Sequence, residues 1–433
     1  MKFIHTADIH LDSPLKGLSA YPDAPAERLR TATREAFQNL ISVAIAEQVD
    51  FMVIAGDVYD GNWRDFNTGL YFVAQMGRLR RAGIPVYLLY GNHDAESEMT
   101  RGLVLPDNVH VFKSDKARTF LIEDKKVALH GRSFKVAATT ENLVPGYPDP
   151  VEGFLNIGIL HTGLEGKSEH AHYAPCSVGE LKAKGYHYWA LGHVHEHRLV
   201  ERGDVTIAFP GNLQGRHIRE TGPRGALLVT ADDMEIKDVE RLHVDVLRWE
   251  SLEVDISDVE DRQGSIRAVG NCLAELLTST PDHLTLAVRV QITGTSIAHA
   301  ELIADEAQLR QEVIGQAVTL DSERLWVEKV RVSSKALDAA GPQIVDEQHG
   351  ALAELTTLAA TAADDPDFVN AVRKDWDELF EKMPLDVLQA SAELQAFKSD
   401  PATQLQEWLP EVASLAMGRV MEKLITAQRG REN

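Results

Sequence analysis

A chain of 433 residues, 44% of them hydrophobic, is long enough for two to three domains with buried cores, and its net charge of −22 excludes a protein that coats nucleic acid by electrostatics alone. Two widely separated cysteines, Cys176 and Cys272, exclude a disulfide framework and a thiolate zinc site. No apolar run reaches 18 residues, and the N-terminus from Met1 to Asp8 turns polar too early for a signal peptide, so the sequence predicts a cytoplasmic protein with no membrane segment.

In chain order, residues 3–7 read as a first strand and 25–48 as a helix, with Leu29, Ala36, Phe37, Leu40, Val43 and Ala44 at helical spacing. Residues 50–57 form a second strand. A second helix over 66–82 places Leu70, Val73, Met76 and Leu79 on one face, and a third strand over 85–90 runs into Gly91. This βαβαβ opening implies parallel strands joined by right-handed crossovers. Further strands are predicted at 109–112, 119–123, 126–131, 154–161, 186–192, 198–201, 204–209 and 225–230. So many strands within one domain call for two stacked sheets with helices outside.

The pattern restarts beyond that point as a small α+β unit: extended chain at 252–256, a helix at 262–277, a strand at 284–292, a helix at 306–317 and a strand at 325–332. After Ser334 only helical periodicity remains. One stripe holds Phe368, Val372, Trp376, Leu379, Phe380 and Met383, and a second holds Leu405, Trp408, Leu409, Val412, Leu415 and Val420. The expected domains are therefore 1–240, 241–335 and 336–433. Acidity is uneven across them: residues 1–250 carry a net −6 and residues 251–433 a net −16. Metal binding would neutralise several acids of the first part, which leaves room there for a locally positive groove.

Ligand-capable residues recur wherever an apolar strand ends. The first strand is followed by Asp8 and His10, the second by Gly56-Asp57, the third by Gly91-Asn92-His93-Asp94, and later strands by His161 and by Gly192-His193-Val194-His195. Two residues apart at a strand end, Asp8 and His10 point the same way, as do His193 and His195. Each piece alone is ordinary polar surface; five of them in one chain, all at strand ends, point to a metal site. Oxygen and imidazole donors without sulfur favour Mn²⁺, Fe²⁺ or Zn²⁺, and a pair of such ions suits phosphoester hydrolysis.

In this order of motifs, Asp8-x-His10, Gly56-Asp57, Gly91-Asn92-His93-Asp94, His161 and Gly192-His193-x-His195, the chain resembles the calcineurin-like metallophosphoesterases. The stretch from His5 to Leu15 and the stretch from Phe209 to His217 are similar to the DNA-repair exonuclease branch of that family, the SbcD-like and YhaO-like nucleases. The resemblance covers about residues 1–230 specifically. It implies an α/β metallophosphoesterase sandwich flanked by helices, a capping domain beside a DNA groove, and a helical C-terminal region that docks onto an ABC-type coiled-coil ATPase of the SbcC or YhaN kind.

The resemblance also implies a division of labour. Asp8, His10, Asp57 and His195 would hold one ion and Asp57, Asn92, His161 and His193 a second, with Mn²⁺ expected first. A hydroxide activated by both would attack the phosphodiester, and His93, oriented by Asp94, would protonate the leaving oxygen or stabilise the pentacoordinate phosphorus. Arg216, His217, Arg219 and Arg224 are candidate phosphate contacts. A homodimer through the helices around 66–103 is implied too. Archaeal and eukaryotic members carry a histidine three residues after the Gly-Asp aspartate, where this chain has Asp60. The competing functions are a phosphoesterase acting on a small nucleotide or phosphoprotein, and a structural subunit that recruits the ATPase. Separate domains beyond the sandwich argue against the first, and seven intact metal donors argue against the second.

Overall fold

The computed structural model describes residues 1–13, 25–60, 66–96, 103–164, 173–337 and 365–383. Its strands are β1 Lys2–Thr6, β2 Phe51–Ala55, β3 Val86–Leu89, β4 Val109–Val111, β5 Arg118–Ile122, β6 Val127–Gly131, β7 Leu155–His161, β8 Tyr188–Gly192, β9 Arg198–Glu201, β10 Thr206–Phe209, β11 Gly225–Asp232, β12 Glu235–His243, β13 Leu247–Asp255, β14 Thr285–Thr293, β15 Thr295–Ser296, β16 Leu325–Val332 and β17 Lys335–Ala336. The helices are α1 Ala26–Ala46, α2 Phe66–Arg81, α3 Asn92–Glu96, α4 Val178–Ala183, α5 Arg262–Ser279, α6 His299–Ala304, α7 Glu306–Asp321 and α8 Pro366–Lys382. Two six-stranded sheets dominate, ordered β12-β11-β1-β2-β3-β4 and β5-β6-β7-β8-β10-β9.

Side-chain alternation explains why these strands stack. Along β2, Phe51, Val53 and Ala55 enter one core with Phe3, Leu129, Ile157, Ile159, Tyr188 and Ala190, between the sheets. Met52 and Ile54 point the other way, into a core with Phe37, Leu40 and Ile41 of α1 and Phe72, Met76 and Leu79 of α2. Both faces of the strand are therefore buried, and it reads as an unbroken apolar run. Strands β1, β2, β3 and β4 pair in parallel, as do β6, β7 and β8, so the C-terminal ends of the ligand-bearing strands share one edge in each sheet.

Several short elements escape sequence reading, α3, α6, β15 and β17 among them, and so do β12 and α4. Strand β12 has apolar residues Ile236, Val239 and Leu242 three apart, a helical spacing, and it becomes a strand by pairing antiparallel with β11 across a register shift between Thr230 and Ala231. Helix α4 carries its own signature, since Ser177 and Glu180 form a capping box. The chain divides into two compact units, one of Met1–Leu252, Leu273–Val290 and Ala317–Lys329, the other of Glu253–Cys272, Gln291–Gln316 and Val330–Asn433. Of the predicted C-terminal helices, the first stripe lies on α8, where Trp376 and Phe380 pack with ring centroids 5.7 Å apart. The stripe with Trp408 lies outside the described residues.

His5 sits inside β1, where its Nε2–H donates to the Leu191 carbonyl at 3.0 Å and Nδ1 accepts from the Tyr188 hydroxyl at 2.9 Å. Burial pushes the ring from 6.5 down to about 3. Its folded value lies below its unfolded one, so the unfolded chain takes the proton first as pH falls, and the stability present above 6.5 is lost below it. Between pH 6.5 and about 5 the metal-free protein should lose about 2 kcal/mol that a His5→Gln variant does not lose, at ~1.4 kcal/mol per unit. Urea unfolding of both proteins across that range checks it; equal slopes would refute the assignment.

Candidate metal centre

The strand ends bring all seven predicted ligand residues together. Asp8, His10 and His195 each present a donor atom within 4.8 Å of the others, and so do Asp57, His161 and His193. Nε2 of His10 and of His195 are 3.2 Å apart. Asp57 spans the two groups, its Oδ2 lying 3.3 Å from His161 Nε2 and 4.0 Å from His10 Nε2. The side chain of Asn92, the first residue of α3, joins the second group with Oδ1 2.9 Å from His161 Nε2.

The backbone is bent to make this possible. Asp8, His10, Asp57 and His193 all have positive φ, at 50°, 45°, 54° and 98°. Each such non-glycine position costs about 1–3 kcal/mol and persists only where its surroundings enforce it. Here the enforcement is visible: Asp8 N–H donates to Gly56 O, His10 N–H to Asp57 O and Leu11 N–H to Val58 O, so the chain after β1 stays laced to the chain after β2. The His193 N–H in turn donates to both carboxylate oxygens of Asp8.

The glycines of the motifs are there for space. A Cβ on Gly91 would lie 2.3 Å from Asp57 Oδ1 and 2.8 Å from His161 Cε1, and one on Gly192 would lie 2.1 Å from the Ala55 carbonyl oxygen. We expect Gly192→Ala to destabilise the fold by about 2–3 kcal/mol, since the obstruction is backbone that cannot rotate away. Thermal unfolding of the chelator-treated variant tests this; an unchanged midpoint would contradict it.

Charge in the site is unbalanced without a cation. His161 Nδ1–H donates to the Ala55 carbonyl at 2.9 Å, so in neutral imidazole the lone pair of Nε2 faces the oxygens of Asn92 and Asp57. Burial pushes His161 down, yet Asp57 and Asp8 outweigh it and raise the ring to about 9. A proton thus stands where a cation fits. Burial lifts Asp8 to about 6, while burial and the Arg216 guanidinium lower His10 to about 3. Asp57, despite burial, is held below the carboxylate range by His161, His10 and His93.

His93 stands beside this cluster, half-exposed, but its partner is not the expected one. Nδ1 of His93 lies 3.1 Å from Asp60 Oδ1, and Asp60 is also 3.6 Å from His10 Nδ1 and accepts from the Ser13 hydroxyl at 2.6 Å. Asp94 is buried, and its carboxylate accepts the backbone N–H groups of Val58, Tyr59 and Gly91. It shapes the two ligand loops, and the orientation of His93 falls to Asp60. The reason is geometric: α3 begins at Asn92, and Asp94 points back under the loop as an acceptor at the helix N-terminus.

The candidate phosphate contacts separate. Arg216 reaches into the site, with Nη2 3.3 Å from His195 Nδ1 and Nη1 3.4 Å from Ser13 Oγ. His217 and Arg219 are exposed. Arg224 is only 7% exposed and donates to the carbonyls of His195 and Thr221 and to Asn212 Oδ1, so it braces the loop and does not face a phosphate. Sequence reasoning missed Glu220, a buried acid 2.8 Å from His195 Nδ1. A single glutamate 25 residues beyond its histidine carries no local signal.

Residues 1–197 match the family described as calcineurin-like phosphoesterase, and residues 249–335 match the middle domain of metallophosphoesterase YhaO. Over 300 residues the chain is 34% identical to the uncharacterized metallophosphoesterase YhaO of Bacillus subtilis, spanning 68% of this chain and 72% of that protein. The chain belongs to the calcineurin-like phosphoesterases. This phosphoesterase is also 26% identical over 328 residues to the DNA double-strand break repair protein Mre11 of Aeropyrum pernix, spanning 70% of this chain and 76% of the relative. A Mre11 of Methanopyrus kandleri is 27% identical over 234 residues, spanning 49% of this chain and 48% of that protein.

As a member of the family it is a hydrolase of phosphate esters, and the family's centre is dimetallic. The phosphoesterase's own residues fit such a centre: three groups of clustered nitrogen and oxygen donors, with buried carboxylates bracketed by imidazoles. Among its described residues no helix is long and apolar enough to cross a membrane.

Proposed function

We propose that this phosphoesterase is a metal-dependent DNA nuclease, the nuclease subunit of an ATPase-linked DNA repair complex. The observation that carries the reading is the convergence of the seven candidate donors, His93 and Arg216 where strands of both sheets end, in a chain related to repair proteins. Asp8, His10, Asp57 and His195 would hold one divalent ion and Asp57, Asn92, His161 and His193 the other, Mn²⁺ ahead of Fe²⁺ or Zn²⁺. When bound, the pair polarises the phosphoryl oxygen and lowers the pKa of water.

The chain's own groups do the rest. Burial pushes His93 down, but the hydrogen bond to Asp60 and the charges of Asp57 and Asp60 outweigh it and hold the ring above its ordinary value, which favours the protonated, donating form. With Nδ1–H donating to Asp60, Nε2–H is the proton presented to the leaving oxygen. Arg216 offsets the charge of the phosphate, and His217 and Arg219 extend the contact along the backbone. Residues 1–240 form the nuclease domain, 241–335 a cap beside the DNA and 336–433 the region that docks an ABC-type coiled-coil ATPase, with Phe368 and Trp376 of α8 in the contact. Exposed Phe66 and Leu70 on α2, together with exposed Val104, support a homodimer through that region.

Purified protein should release nucleotides from linear DNA only when Mn²⁺ is present, and cleave bis-p-nitrophenyl phosphate alongside. Cleavage of the small diester without any DNA degradation, with or without an ATPase partner, would refute the nuclease assignment.

A further inference from the structure

We infer that Glu220 is a positioning residue that ties the Asp8/His10/His195 metal position to the Arg216 guanidinium, so that ion and phosphate binding depend on one carboxylate. The inference rests on the reading above that these three residues hold an ion. Both oxygens of Glu220 are engaged. Oε1 accepts from His195 Nδ1 at 2.8 Å and from Arg216 Nη2 at 3.2 Å, and it lies 3.7 Å from His217 Nε2. Oε2 accepts the Arg216 backbone N–H at 2.7 Å and Asn212 Nδ2 at 2.9 Å.

Each contact has a consequence for the site. Because Nδ1–H of His195 donates to Glu220, the ring is locked in the tautomer whose Nε2 lone pair faces His10 and Asp8. Because the same carboxylate holds Arg216 by side chain and main chain, the guanidinium is brought to 3.3 Å from that histidine although both are hydrogen-bond donors. Without the acid, two donors would face each other. Among the described residues the Arg216 Nε–H is buried with no hydrogen-bond partner. A cleft lined by Ser13, Thr33, Arg30, Gln214, Gly215 and Arg216 opens beside it.

Glu220→Gln keeps the shape but offers only one acceptor oxygen for four donors. The test measures Mn²⁺ uptake by calorimetry, and competition by inorganic phosphate, in wild type, E220Q, H195A and R216A. We expect wild type to take up two ions and E220Q to retain one of them while binding the other 10–100-fold more weakly. The H195A and E220Q losses should not be additive in the double variant. Phosphate should compete less well against E220Q and R216A, with R216A keeping both ions. Unchanged uptake of both ions by E220Q, or equal loss of both together with a lowered melting temperature, would overturn the role of Glu220 while leaving the dimetal reading intact. Wild type that takes up fewer than two ions would overturn the dimetal reading itself, and the inference with it.

Discussion

On the nuclease reading, Asp57→Asn should take up neither ion firmly, and its hydrolysis of DNA should fall by at least about 1,000-fold. Asp57 is the carboxylate that faces both donor groups, with Oδ2 toward His161 and His10 while Oδ1 accepts the His93 backbone N–H at 3.0 Å. An amide preserves the shape and that backbone bond but removes the charge that both positions share. It also removes the largest influence raising His161, so the imidazole returns toward the value burial alone would set. Metal content after desalting, read beside DNA hydrolysis, checks the expectation. A variant that keeps two ions would show that Asp57 does not bridge.

His93→Ala should instead keep both ions and lose about 10²–10⁴ in the rate on DNA. The decisive comparison is between leaving groups. A deoxyribose oxygen needs a proton to depart, whereas p-nitrophenolate departs without one, so the variant's deficit should shrink on bis-p-nitrophenyl phosphate. Asp60→Asn, which leaves His93 in place but weakens its partner at 3.1 Å, should show the same contrast at smaller amplitude. Equal deficits on the two substrates would remove His93 from the proton-transfer role.

How much of this was legible in the sequence follows from where the information sits. A strand that ends in Gly-Asp or Gly-Asn-His announces its ligands locally, because an apolar run, a glycine and the donor are neighbours in the chain. The seven candidate donors that the structure gathers were therefore readable, as were the parallel strands that bring them together. The partners of those donors were not. Asp60 reaches His93 across 33 positions and Glu220 reaches His195 across 25, contacts made by loops whose course no periodicity specifies. Asp94 was assigned to His93 by adjacency, and a helix N-terminus turned it toward backbone N–H groups instead. Arg224 has the composition of a phosphate contact, yet the burial of its loop engages it with carbonyls. Strand β12 was hidden by a three-residue apolar spacing that only its pairing with β11 resolves.

The donors are drawn from both layers of the sandwich: Asp8, His10, Asp57 and Asn92 follow strands of one sheet, while His161, His193 and His195 end or follow strands of the other. Ions held by residues of both layers would clasp the two sheets at one end, like a buckle on facing straps. Amide exchange at that end of β2, β7 and β8 should therefore slow when the ions bind, and the opposite end, where the Met1 amino group meets the Ala231 carbonyl, should exchange as before. Loss of metal would then loosen the molecule from its catalytic end first.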